Sequence, residues 1–184
     1  MLIFLADLTH TGLGVATEAF PLNIGLLKSY LEKVQPGKHE IRLFKYPEKL
    51  NSELKKFTPD VVGFSNYTWN SNLAGFFSKN LKLKNEPPLI IWGGTNYPFN
   101  PNKQKKFLLE RPFIDIHVSY EGEITFSEII KNYDLYRNVD QLKKLKISGS
   151  QSLLQGEFLD GGFRERIKNL SEIAIIKQKF IQNL

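Results

Sequence analysis

Not one of the 184 residues is cysteine. That absence removes disulfides, thiolate zinc sites, cysteine nucleophiles and iron–sulfur clusters from the chemistry this chain can supply by itself. Long apolar runs are missing too. The opening "MLIFLA" stops at Asp7, and nothing approaches the roughly 18 residues of a spanning helix or the core of a secretory signal. A cytoplasmic location without a membrane partner is therefore expected. Histidine is scarce, and His10, His39 and His117 stand apart with no second ligand at metal spacing, so no protein-built metal site is expected.

What is present describes an ordinary globular chain. Hydrophobic residues make up 41% and charged residues 24%, which sets aside disorder and collagen. The net charge of +6 comes largely from lysines spread along amphipathic segments such as "KKFLLER" and "QLKKLK". No aromatic residues interleave with them in a nucleic-acid pattern, so they read as solvated faces and no nucleic-acid partner is expected. The length suits one main domain, taken as residues 1–135, with an extension over 136–184.

Five apolar, β-rich runs alternate with helical patterns: 2–6, 40–46, 60–66, 89–94 and 113–120. The first, third and fourth are almost continuously apolar, as in central parallel strands covered on both faces, whereas "EIRLFKY" alternates like an edge. Helices are expected over 21–34, 47–57, 70–83, 100–111 and 123–133 from their apolar stripes and the prolines near three of the starts. The expected fold is α/β: a flavodoxin-like, Rossmann-like, doubly wound parallel sheet of five strands in the order 2-1-3-4-5. The segment 146–162 reads as a small satellite hairpin, and the tail as a helix.

That fold gathers the loops after the strands on one rim. Their sequences are "DLTHTGLGVATEAF", "SNYTWN", "GGTNYP" and "YEGE", rich in hydroxyls, glycines and aromatics that suit a large ligand carrying amides or phosphates. Each loop has a plain structural reading as well. Gly93 and Gly94 make a tight turn or admit a close ligand; Ser65 caps or binds; His10 is a solvated loop residue; Trp69 closes the core beneath a loop; Glu121 and Glu123 favour the following helix N-terminus.

Taken in order, "FPLNIGLLKSYLEK", "PDVVGFSNYTWN", "LIIWGGTNYPFNP" and "DIHVSYEGEITFSEII" resemble the amino-terminal cobalamin-binding domain of the cobalamin-dependent radical S-adenosylmethionine enzymes. The resemblance covers roughly residues 1 to 135, and "RIKNLSEI" is similar to the connector towards the radical domain. It implies a module that presents cobalamin (vitamin B12) to a radical S-adenosylmethionine protein in trans, or to a domain missing from a cut-short product. It also implies a corrinoid on the carboxyl rim, its nucleotide tail passing over Gly93 and Gly94, with Ser65, Asn66, Tyr67, Thr95, Tyr120, Glu121 and Gly122 bordering the groove and Thr9 and His10 near it. A metal-binding role would come through the corrinoid's cobalt. Many cobalamin proteins of the methionine-synthase type carry a cobalt-ligating Asp-x-His-x-x-Gly after the first strand, a ligand that radical-enzyme relatives often lack; in "DLTHTG" the histidine falls one place late. Without cysteine there is no iron–sulfur cluster in this chain, and it is not expected to be catalytic alone.

Three other readings compete. A flavin mononucleotide carrier has a Thr-rich loop after its first strand, but here six residues separate "THTGLG" from the helix at Pro21, too far to use the helix dipole. A receiver domain needs an aspartate closing the third strand, where Ser65 and Asn66 stand. A scaffold that has lost its cofactor keeps the fold alone.

Overall fold

A computed structural model describes residues 1–10 and 20–166. The elements run β1 (Leu2–Ala6), α1 (Leu22–Val34), β2 (Glu40–Phe44), α2 (Pro47–Lys56), β3 (Val61–Ser65), α3 (Ser71–Lys82), β4 (Leu89–Gly93), α4 (Pro101–Leu109), β5 (Ile116–Val118), α5 (Glu123–Tyr136), α6 (Val139–Lys144), β6 (Ser150–Leu154) and β7 (Glu157–Asp160). They build one sheet in the order β2-β1-β3-β4-β5-β6-β7. The first five strands are parallel, in the expected order.

The final hairpin differs from expectation. It does not stand apart, because β6 pairs antiparallel with β5 and carries the sheet two strands further. Ser150, Gln151 and Ser152 are buried in that pairing, and a polar inner strand is hard to recognise from hydrophobic pattern alone. Helix α6 was not expected either. Asn138 caps it by accepting from the main-chain N–H of Gln141, and only Leu142 of its six residues is buried. The expected tail helix lies outside the described residues.

Period-two alternation in the central strands divides the interior into two layers. Ile3, Leu5, Val61, Ile91 and Val118 face α1 and α5, meeting Ile24, Leu31, Phe126, Ile129 and Ile130. Phe4, Val62, Phe64, Ile90 and Trp92 face α2, α3 and α4, meeting Leu50, Phe77, Leu81 and Leu108. The indole N–H of Trp92 donates to Ser78 Oγ at 3.0 Å, which lets a large aromatic be fully buried. Asp115 ties β4 to the turn before β5: its carboxylate accepts the Ile90 N–H at 2.7 Å and pairs with Lys82.

His117 on β5 is fully buried, and its ring stacks on Tyr97 with centroids 3.6 Å apart. Neither ring nitrogen has a hydrogen-bond partner, and burial lowers the imidazole pKa to about 3. Among the described residues no group of three His, Asp or Glu is arranged to hold a metal ion.

His117 sets a pH dependence. Its folded pKa lies below the unfolded value of 6.5, so its neutral form's stability is complete above 6.5 and is lost as pH falls towards 3. In urea unfolding at stepped pH, the wild type should lose about 1 kcal/mol per pH unit relative to His117→Phe across that window. Parallel curves for the two chains would contradict the assignment.

Candidate functional site

A cleft of about 850 Å³ opens between the sheet and helices α1 and α5, at the carboxyl ends of the central strands. It falls at the upper end of ordinary small-molecule sites, roughly 300–1,000 Å³. Its inner wall is apolar: Leu5, Gly63, Ile91 and Val118 from the sheet, Ile24 and Leu27 from α1, Phe126 from α5. Gly63 is the thin spot of that wall. A Cβ there would come within 2.7 Å of the Leu5 side chain.

Polar groups collect on the β1 and β3 side. Asn23, near the start of α1, donates to Ser65 Oγ at 2.6 Å and to the Tyr67 hydroxyl at 3.2 Å. Asn70 donates to Asp7 Oδ1 at 3.0 Å. Burial raises the Asp7 pKa to about 6, opposed by hydrogen bonds from Asn23, Ser65 and Asn70 and by the charge of Lys45. Burial also pushes up the Tyr67 hydroxyl, with Asp7's charge adding to it.

The opposite wall is built by the turn from β5 into α5. Tyr120 adopts φ +60°, a left-handed conformation uncommon for a bulky residue, and its ring meets Phe163 edge-on at 5.5 Å. Gly122 comes close to α1, since a Cβ there would lie 3.3 Å from Leu27. Glu123 opens α5 and is buried. Its Oε2 has no partner, and burial raises its pKa, with the charge of Glu121 acting in the same direction. Aromatic and apolar side chains ring the mouth: Trp69 stacked on Tyr67 at 4.6 Å and 8°, Phe99, Tyr120 and Leu22.

Of the residues expected at the site, Ser65, Tyr67, Gly93, Gly94, Thr95, Tyr120, Glu121 and Gly122 line this cleft. Three do not. Asn66 is fully buried, and its side chain donates to Asn96 O at 2.7 Å, clamping the β3 loop to the β4 loop. Thr9 is buried, and its N–H donates to Lys45 O, extending β1 along β2. His10 is exposed, with Nε2 2.8 Å from Trp69 O, so it faces a loop and not the cleft. Residues 11–19 of the Thr-rich loop lie outside the described residues.

The glycine pair also has a different cause in part. Gly94 sits at φ +129°, and a Cβ on it would meet the Asn66 carbonyl oxygen at 2.6 Å, so the fold alone requires glycine there. At Gly93 a Cβ would reach Val118 O at 3.4 Å, which is close but passable. Trp69 does not close the core as expected; it is 59% exposed at the cleft mouth. Asp7, Asn23, Gly63 and Glu123 also line the cleft and were not among the expected site residues. Asp7 had a legible signal, a carboxylate ending an apolar strand at the rim.

No protein-family model matches the chain. It is 31% identical over 166 residues to an uncharacterised methyltransferase of Pyrococcus horikoshii, covering 88% of this chain and 34% of that protein. It is 28% identical over 115 residues to TokK of Streptomyces tokunonensis, a cobalamin-dependent radical SAM methyltransferase, covering 60% of this chain and 16% of TokK. A 2-(S-pantetheinyl)-carbapenam-3-carboxylate methyltransferase of Streptantibioticus cattleyicolor is 28% identical over 120 residues, 62% of this chain and 17% of that one. The chain thus spans about a third or less of the length of these relatives. The fold is shared with OxsB, a cobalamin-dependent S-adenosylmethionine radical enzyme solved with aqua-cobalamin and S-adenosylmethionine bound: TM-score 0.65, 21% identity, 94% of this chain and 23% of that one.

The raised Asp7 pKa generates a test of the site's electrostatics. Because the folded value of about 6 exceeds the ordinary 3.8, the contribution of the protonated form is full below 3.8 and is lost as pH rises through 6. Between pH 4 and pH 7 the unliganded wild type should lose about 1–2 kcal/mol relative to Asp7→Asn in denaturant unfolding. A wild type that tracks the variant across that range would contradict it.

Proposed function

We propose that this chain is a cobalamin-binding module, with the corrinoid's nucleotide end in the cleft and its ring over the aromatic rim. The observation that carries the reading is the cleft itself. It lies at the carboxyl edge where the strand order reverses, the place where doubly wound sheets hold ligands, and its wall is thinned at Gly63. Support comes from the relatives, of which TokK and OxsB are described as cobalamin-dependent, OxsB sharing the fold over nearly the whole chain.

The lining fits such a group. Leu5, Ile24, Ile91 and Phe126 would exclude water around an apolar ring system, and Ser65 and Tyr67 would offer hydroxyls to amides. A bound corrinoid supplies a cobalt centre able to carry and transfer an alkyl group. The chain's own residues bind and orient; reaction on a substrate would belong to a radical S-adenosylmethionine protein in trans or to a further domain. A flavin mononucleotide carrier fits less well, because Asp7, Glu121 and Glu123 line the cleft against a doubly charged phosphate monoester, whereas a corrinoid's nucleotide brings only a singly charged diester.

Purified protein mixed with hydroxocobalamin should keep a corrin visible spectrum through gel filtration. Gly63→Val should weaken that binding by tenfold or more with its far-ultraviolet circular dichroism unchanged. Colourless wild-type protein, or a flavin absorbance band instead, would contradict the proposal.

A further inference from the structure

Glu123 is the polar group of the cleft that the fold does not explain. Its residue surface is 9% exposed, Oε2 is sealed from solvent, and no hydrogen bond reaches that atom. The other side of the carboxyl group is served by the residue's own main-chain N–H at the start of α5. Leaving a buried carboxyl oxygen bare is unfavourable, and an apolar residue in the same place would avoid it. Neighbouring positions show the contrast: Ser119 donates to Gln151 at 2.6 Å and Thr125 to Ser148 O at 2.9 Å, both satisfied within the fold. Glu123 is not, and it lines the cleft beside Val118 and Phe126, on the apolar inner stretch and away from the polar cluster of Asp7, Asn23 and Ser65.

Building on the cobalamin reading, we infer that Glu123 is a ligand-binding residue whose free carboxyl oxygen takes an O–H or N–H donor on the nucleotide end of the corrinoid. The placement selects the class of group. Directly at Glu123 an anionic oxygen would meet like charge, whereas a sugar hydroxyl or a carboxamide N–H of the nucleotide end meets a carboxyl oxygen with no hydrogen-bond partner among the described residues. The inner stretch is otherwise apolar, so this one contact fixes the orientation of whatever part of the ligand enters it.

The test measures affinity for two corrinoids and the melting temperature without either. Hydroxocobalamin carries the nucleotide end and cobinamide lacks it. Glu123→Gln should weaken hydroxocobalamin binding by about tenfold, leave cobinamide binding unchanged, and give a ligand-free melting temperature equal to or above that of the wild type. Glu123→Asp, one methylene shorter, should show the same pattern. Equal affinity of the wild type and both variants for hydroxocobalamin overturns the inference and leaves the cobalamin reading standing. So does an equal loss with cobinamide, or variants that melt early without ligand, which would mark a structural carboxylate. A wild type that binds neither corrinoid overturns both.

Discussion

The reversal of strand order between β1 and β3 is the constraint from which the rest follows. The chain leaves β1 towards α1 on one face and leaves β3 towards α3 on the other, so the two connections diverge. A crevice opens between them because no connection crosses it. Everything proposed for this chain occupies that gap. Gly63 deepens it from the sheet side, and α1 packing against α5 roofs it.

Several features that oppose stability converge on the same edge. Tyr120 holds a left-handed backbone, Asp7 is kept half-buried against its charge, and Glu123 exposes an unserved oxygen to an apolar wall. Elsewhere in the described residues buried polar groups are mostly paired, as with Asp115, Ser78 and Gln35. The other exception is the stack of Tyr97 on His117 in the layer under α4, where Tyr97 also reaches the cleft. Strain and unmet polar groups persist only where the surrounding fold over-determines them or where binding relieves them.

Much of the architecture was legible because buried parallel strands write themselves as continuous apolar runs. "LIFLA", "VVGFS" and "LIIWG" have few alternatives, and strand order followed from the alternation with helices. The polar strand β6 and the short α6 carry no such signal, and the sheet's extension past β5 was missed. At the site, the sequence located the rim but not the direction in which each side chain points. Asn66 and Ser65 are neighbours, yet one clamps two loops while the other faces the cleft, since side chains alternate at a strand end. Gly94 read equally as a tight turn or as room for a ligand, and the Asn66 main chain demands it, a contact between loops about 30 residues apart. Glu123 read as a helix-start carboxylate; its burial depends on how closely α5 approaches α1 through Gly122 and Leu27, which no local pattern records.

The most direct measurement is a crystal structure of the chain grown with hydroxocobalamin. The account predicts electron density for the corrinoid's nucleotide end between α1 and α5, against Gly63 and within hydrogen-bond distance of Glu123, with the ring at the Tyr67, Trp69 and Tyr120 edge. Density for the corrinoid elsewhere on the surface, with the cleft filled only by solvent, would contradict it.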